Sequence, residues 1–507
     1  MSRVLASSAL DIRETIESVA GMVAGALARD CTIEVLEEDR VVVISSGNRP
    51  LANSMPRSGF FSAKTGVDQL RPQRRKLPGI RGSFLDVPIV AREQLYGVLR
   101  LVGSGTLPDD DVRLRLAEEI ALRIALAIDS AHLQAREHRA TDALQRALLP
   151  ETLPSSNAYV YHAAYIPATT EAVVGGDWYD AFALPDGRIA LSIGDVAGHG
   201  LRAATIMGEV RQALRASAFD PKSPAAILER ANTIMNMRSH PVMVTAIFGI
   251  YDPTVSKLTY ATAGHPGPIL GLRDGWAATL PTLGVPLGIG TVFESFDWTF
   301  TVPPGSLVAF FTDGLIEHNR DVIAGEASVL SAVATEVLSP TENPARALHE
   351  RIFDDQRNLD DVATLTLSVA DADTMDHLEL ACSAIPLAAP LIRHALVDFA
   401  QRHGLAENVR FELVTTIGEA VANAAEHAYS GGPGLVTVTV DREADGLRVN
   451  VTDHGRWKST TRREERGRGL RLMRALSTGL QIKSDSTGTS IWLRIPFENA
   501  ANDGVAV

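Results

Sequence analysis

The chain of 507 residues has only two cysteines, Cys31 and Cys382. Two thiols cannot build a disulfide framework or a cysteine-based zinc site, so a reducing cytoplasm is the expected compartment. A basic excess is also missing. Against 61 Asp and Glu stand 48 Lys and Arg, a net charge of −13. That balance argues against a general nucleic-acid or anionic-membrane binder, which needs a basic face. No apolar run approaches the ~18 residues of a membrane span, and the start lacks the basic-then-apolar pattern of a secretory signal. What is present is ordinary for globular protein: 45% apolar and 21% charged residues. The length is more than one hydrophobic core organises, so two to four domains are expected.

The first thirty residues place Leu10, Ile12, Ile16, Val19, Val23 and Leu27 at helical spacing. TIEVLEEDRVVVISSG then reads as a hairpin, residues 48–82 as a long polar loop, and SFLDVPIVAREQLYGVLRLVG as a second strand pair. From Pro108 to about Leu149 the apolar residues Val112, Leu116, Ile120, Ile124, Ala127 and Ala131 advance by three or four. A helix this long connects domains and is suited to pairing with a second copy. The order and length of residues 1–130 resemble a GAF sensor domain, with VPIVAREQLYGVLRLVG as the most family-like string and residues 109–149 as a connecting signalling helix. Residues 57–81 hold seven Lys and Arg against Asp68 alone, and read as a solvated loop rather than a nucleic-acid patch.

Pro150 and Pro154 break the long helix. In the stretch that follows, four aspartates sit at strand ends or turns: Asp177 in VVGGDWYD, Asp195 in ALSIGDVAGHG, Asp313 in VAFFTDGLIE and Asp360 in LDDVATLTLSV. Taken singly, each reads first as a turn residue, since Asp before Gly is a common turn. Together, carboxylates at strand ends can converge, and hard divalent cations take such oxygen ligands. GGDWYD, GDVAGHGLRAATIM, TYATAGHPGPIL, LGVPLGI, FTDGLIE and DDVATLTL, in this order, closely resemble the SpoIIE-type branch of the metal-dependent (protein phosphatase 2C-like, PPM) phosphatases. The resemblance spans residues 150–370 and implies an α-β-β-α sandwich with two Mn²⁺ or Mg²⁺ ions. It implies Asp177, Asp195, the Val196 carbonyl, Asp313 and Asp360 as metal site, Asp195 as the bridge, and Asp361 as an outer residue. Ala197 stands where eukaryotic relatives have a histidine, so no general acid is assigned. The helix after Gly200 reads as a core helix burying Leu201, Ala204, Ile206 and Met207, in a place where the family's counterpart lies near the metals.

A third unit, residues 377–499, carries Glu419, Asn423 and His427 at i, i+4 and i+8 on one helix face, with Leu413, Ile417, Ala420 and Ala424 opposite. Asn423 alone reads first as a satisfied core amide, and the downstream context reverses this. Downstream lie Asp453 and Gly455 at a strand end, Gly467 and Gly469 before a helix, and Gly488 with Thr489 before the last strand. This order resembles the GHKL-type ATPase sandwich, in its RsbW-like serine-kinase and anti-sigma-factor branch. The resemblance implies Mg-ATP, with Asn423 as Mg²⁺ ligand, Glu419 as the base, Asp453 toward adenine, Gly467 and Gly469 along the phosphates, and Gly455, Gly488 and Thr489 as further nucleotide-binding residues. Trp457 departs from the family pattern, in which a glycine stands there. A histidine kinase would need a phospho-accepting His on an upstream paired helix, and neither His138 nor His394 has such surroundings.

The combined expectation is a multidomain α+β signalling protein: a phosphoserine/phosphothreonine protein phosphatase set by a GAF-like sensor. By resemblance its substrate is a phosphorylated STAS-type anti-sigma-factor antagonist, acting in trans. A sigma factor is a further expected partner of the C-terminal unit, the chain is expected to be a homodimer through the connecting helix, and neither nucleic acid nor membrane is expected. The other reading is a sigma-factor-binding switch whose C-terminal module lacks kinase turnover.

Overall fold

In the computed structural model, the described residues are 16, 19–23, 28, 30–37, 40–46, 71–76, 83–103, 111–168, 175–220, 223–317, 321–353, 360–371, 376–429, 434–455, 467–485 and 487–497. They form two compact units, Met1–Ala140 and Thr141–Val507. The second contains both regions with catalytic patterns.

The first unit is an antiparallel sheet of β1 (Asp30–Glu37), β2 (Arg40–Ser46), β3 (Gln73–Lys76), β4 (Ser83–Ala91) and β5 (Gln94–Gly103), in the order β2-β1-β5-β4-β3. Strand β3 falls inside the stretch expected to be loop throughout. Alternation fills one face with Ile33, Val35, Val87, Leu99 and Leu101, which pack against Ile120, Ile124 and Ile128 of α1 (Asp111–Leu148). On the other face Arg100, 2% exposed, is held by Asp86 at 2.7 Å and Glu34 at 3.1 Å. Cys31 and Cys382 are free and buried.

The second unit stacks two sheets. One has five strands in the order β12-β11-β14-β15-β6: β6 (Tyr159–Ile166), β11 (Ile269–Gly271), β12 (Ala277–Thr279), β14 (Leu307–Phe311) and β15 (Val362–Val369). The other has ten. It begins with β7 (Trp178–Ala183), β8 (Ile189–Val196), β9 (Val244–Asp252), β10 (Lys257–Ala263) and β13 (Trp298–Thr301). It continues through β16 (His377–Ser383), β17 (Leu435–Glu443), β18 (Gly446–Asp453), β20 (Gly488–Pro496) and β19 (Thr478–Asp485). The period of two decides the layers. Along β8, Ile189, Leu191 and Ile193 point between the sheets, while Ala190 joins the cluster under α2 (Leu201–Ser217) and α3 (Pro224–Asn236). Helices α4 (Val322–Leu338) and α5 (Pro344–Phe353) cover the five-stranded sheet. Helices α6 (Ala388–Arg402) and α7 (Glu407–His427) pack on the far half of the large sheet, and their apolar residues belong to the same core as β8 and β14.

The seam between β13 and β16 is narrow: Phe300 pairs with Cys382. Side chains widen it, because Thr299 N–H donates to Ser383 Oγ at 2.9 Å and Ala381 N–H to Thr301 Oγ1 at 2.8 Å. Helix α2 corrects one expectation. Ala204, Ile206 and Met207 are buried, but Leu201 is 66% exposed, since it opens the helix beyond the end of the sheet it covers.

Candidate functional site

Strand β8 delivers Asp195 and Val196 at its end, registered against Thr245 and Val244 of β9. Gly175 and Gly176 carry the chain past them into β7. A Cβ on Gly176 would overlap the Val196 carbonyl, and one on Gly175 would overlap the Asp361 carboxylate. No other residue type fits this double approach, which brings buried Asp177 to the same place. From the other sheet, β14 delivers Thr312, fully buried, and Asp313 at the start of a 3-10 turn. Thr312 Oγ1 donates to Asp177 Oδ2 at 2.6 Å and accepts from Ala363 N–H at 2.9 Å. One hydroxyl therefore ties the ends of both sheets together.

Asp360 and Asp361 precede β15 and differ in setting. Asp360 is exposed, and its Oδ1 accepts from Asp361 N–H at 2.8 Å. Asp361, 5% exposed, accepts from Ala168 N–H at 2.8 Å. Thus Asp177, Asp195, Asp313 and the 360–361 pair face one cleft, with Asp361 the more enclosed of the pair.

The field in that cleft is strongly negative. Burial, then Asp195, pushes the Asp177 carboxyl well above the usual range. Burial, then Asp313, pushes Asp195 up to about 6. Asp313 is raised by burial, then by Glu317 and Asp360. Among the described residues no Lys or Arg forms an ion pair with Asp177, Asp195 or Asp313. No three of these carboxylates close into a finished cage there either. An all-oxygen donor set with unneutralised charge fits hard divalent cations, which keep water among their ligands.

Two buried groups escaped the sequence reading, His265 beside Asp313 and Arg211 on the buried side of α2. His265, at the end of β10, is 2% exposed; its Nδ1 lies 2.8 Å from Thr245 Oγ1 and its Nε2 3.1 Å from the Phe311 carbonyl. Burial drives its pKa down to about 3, so it is neutral. Its only sequence signal was a histidine between Gly264 and Pro266, which does not mark burial. Arg211 of α2 holds buried Asp180 at 3.0 Å and also donates to the Leu148 carbonyl at the end of α1. His199 is exposed.

In the C-terminal part, Glu419 and Asn423 are half-buried on α7. Gly467 opens α8 (Gly467–Ala475), and both it and Gly469 lie within the helix rather than before it. A Cβ on Gly469 would overlap Glu419 Oε2 and stand 3.8 Å from Asn423 Nδ2, so the first turn of α8 rests on these two side chains. Asp453, 4% exposed, faces Thr489 across β18 and β20, and its Oδ1 accepts from Gly455 N–H at 2.9 Å. Gly488, at φ 144°, lies against the Asp453 carbonyl. Tyr429 OH donates to the Leu435 carbonyl at 2.6 Å and accepts from His454 N–H at 2.8 Å, fixing the end of β18. Trp457 lies outside the described residues.

Comparison with known proteins divides the chain in the same order. Residues 6–128 match the GAF domain, 185–370 the stage II sporulation protein E (SpoIIE) family, and 382–495 the histidine kinase-like ATPase domain. The chain is 27% identical to the phosphoserine phosphatase RsbU of Bacillus subtilis over 266 residues, 51% of this chain and 73% of that protein. It is 25% identical to protein IcfG of a Synechocystis strain over 202 residues, 34% of this chain and 31% of that one. A crystal structure of the RsbU and RsbW domains of a Mycobacterium tuberculosis protein is 28% identical, covering 69% of this chain and 95% of that one at a TM-score of 0.41. The chain accordingly carries a GAF domain, a SpoIIE-type domain and a histidine kinase-like ATPase domain, in that order, and is similar to RsbU over about half its length.

Proposed function

We propose that this protein hydrolyses phosphoserine or phosphothreonine on a protein substrate, a phosphorylated STAS-type anti-sigma-factor antagonist, with two Mn²⁺ or Mg²⁺ ions. The observation that carries the reading is the group of carboxylates, Asp177 buried and Asp195 and Asp313 partly so, whose pKa values are raised with no Lys or Arg ion-paired to them among the described residues. Asp177, Asp195, the Val196 carbonyl, Asp313 and Asp360 would hold the ions, and Asp361 would brace the loop that carries Asp360. When bound, such ions activate water near neutral pH and neutralise charge on the phosphoryl group. Water adds to phosphorus, the phosphorus–oxygen bond to the serine breaks, and the serine oxygen takes a proton. The residues of the chain keep the carboxylates in place: Thr312 fixes Asp177, and the glycine pair lets Asp195 approach it.

The GAF-like unit would regulate this site from the cytoplasm. Along α1, Val112, Leu116, Leu122, Leu126 and Leu133 are exposed, opposite the face that packs on the sheet, which supports pairing with a second copy. The C-terminal unit would bind Mg-ATP through Asn423, with Asp453 and Thr489 toward the base. It would phosphorylate the same antagonist or bind a sigma factor. A sigma-factor-binding switch without turnover is the second reading, favoured by one contact: Glu419, the candidate base, is covered by Gly469.

The test is Mn²⁺-dependent release of phosphate from a phosphoserine STAS protein. Asp195→Ala and Asp313→Ala abolish it while circular dichroism stays unchanged. Wild-type turnover in both variants refutes the metal-site assignment. Transfer from ATP to the unphosphorylated antagonist by the wild type excludes the switch reading.

A further inference from the structure

The segment joining β12 to β13 is built unlike an ordinary surface loop. Its backbone is tied down almost residue by residue. Tyr260 OH donates to the Pro281 carbonyl at 2.7 Å, and Thr262 Oγ1 both accepts from Leu283 N–H at 3.0 Å and donates to its carbonyl at 3.1 Å. Leu287 exchanges two backbone bonds with Val244, at 3.1 and 2.8 Å. Asn232 accepts from Gly288 N–H at 2.9 Å, and Asn232 and Asn236 both donate to the Gly290 carbonyl. Gly284 and Gly288, with φ of 148° and 78°, lie so flat on the body of the protein that a Cβ at either would overlap a backbone carbonyl.

Leu280 and Leu287 anchor the loop in the core, while three of its other aliphatic side chains face solvent: Leu283 is 51%, Val285 44% and Ile289 53% exposed. A single exposed aliphatic residue needs no explanation, but a fixed group of them marks a contact surface. Leu283 lines a cavity of about 610 Å³ that also contains Asp313. Val322 lines the same cavity at 46% exposure, and its neighbour Ile323 is 83% exposed. Leu283 and Val322 therefore border the space beside a proposed metal-site carboxylate; in the chain Ile323 follows Val322 directly, and Val285 follows Leu283 after one intervening residue.

We propose that this collar, Leu283, Val285 and Ile289 with Val322 and Ile323, is the docking surface for the phosphoprotein substrate, which presents an aliphatic patch beside its phosphoserine. The inference rests on the phosphatase reading above. It follows from continuity: a phosphoserine that reaches Asp313 brings its flanking residues into this cavity, and another protein seated there would block the site. Glu317 and Glu326 line the cavity too, so the flanking residues are apolar or basic rather than acidic. Because the loop is already held in place, docking costs it little conformational freedom, and its apolar area goes into affinity.

The test compares two substrates with Mn²⁺ present: a phosphoserine STAS protein and p-nitrophenyl phosphate, which is too small to reach the collar. The full-length double variant Leu283→Ser, Ile323→Ser raises KM for the phosphoprotein at least about tenfold, by loss of two aliphatic contacts. Its kcat, and its rate on p-nitrophenyl phosphate, stay within about twofold of wild type, because no group at the reacting phosphorus has changed. Val285→Lys gives the same split. An unchanged phosphoprotein KM overturns the proposal, and so does an equal loss on both substrates. Failure of the underlying phosphatase reading looks different: the wild type itself then hydrolyses neither substrate.

Discussion

Thr312 donates its hydroxyl hydrogen to Asp177 Oδ2 at 2.6 Å across 135 residues of chain, and the same oxygen accepts from Ala363 N–H. Valine at position 312 keeps the shape and removes both bonds. A buried carboxylate oxygen and a buried N–H then lose their partners, at a cost of about 1–3 kcal/mol. Urea unfolding of Thr312→Val measures it. Asp177 also loses the bond that lowers its pKa, so Mn²⁺ affinity falls more steeply at low pH in the variant, as titration calorimetry reads directly.

In the metal-free protein the contribution of Asp195 to stability falls as pH rises. Asp195 is raised to about 6, chiefly by burial and by Asp313, so the folded state keeps a proton that the unfolded chain has already released. Its contribution therefore falls from about pH 4, where an ordinary carboxylate ionises, through about pH 6. Asp195→Asn removes this effect and gains about 1–3 kcal/mol near neutrality without metal. Mn²⁺ stabilises the wild type and leaves the variant unmoved. Melting curves across this range, with and without Mn²⁺, test both statements; a metal-free wild type that strengthens relative to Asp195→Asn with rising pH contradicts them.

His265 has the opposite sign. Its folded pKa near 3 lies below the ordinary value of about 6.5, so the unfolded chain binds the extra proton. Its contribution is complete above about pH 6.5 and is lost as pH falls toward 3. His265→Ala strands the Thr245 hydroxyl and the Phe311 carbonyl, costing about 1–3 kcal/mol. The stability gap between wild type and variant widens from acid to neutral pH and then levels. A gap independent of pH contradicts the buried neutral imidazole.

Asp180, fully buried, depends on Arg211 at 3.0 Å, with Arg215 at 3.8 Å. Arg211→Met leaves that charge without its nearest partner and destabilises by about 3–5 kcal/mol. The double variant Asp180→Asn, Arg211→Met recovers most of the loss, because no buried charge is left behind. Equal stability of the single and double variants in urea rules out the ion pair as the cause.

In the C-terminal part, Asn423→Ala in the full chain lowers Mg-ATP affinity at least about tenfold, as expected when a ligand-bound polar contact is removed. Phosphate release from the middle part is unaffected. Equilibrium binding of a fluorescent ATP analogue checks the first outcome, and unchanged affinity counts against the assignment.

Periodicity and residue type already held a good deal of this protein. The three-and-four spacing from Val112 onward is α1, and the i, i+4 placement of Glu419 and Asn423 is one face of α7. Asp195 and Asp313 stand at strand ends, as the apolar runs before them and the small residues or turn after them indicated. These features depend on neighbours along the chain, which a sequence displays. Tertiary structure alone decided that Thr312 reaches Asp177, that Gly175 lies against Asp361, and that β13 passes into β16 through Phe300 and Cys382. It also left Leu201 in solvent. Those relations are set by strand register and sheet stacking between distant segments, and local spacing carries no record of which strands will meet.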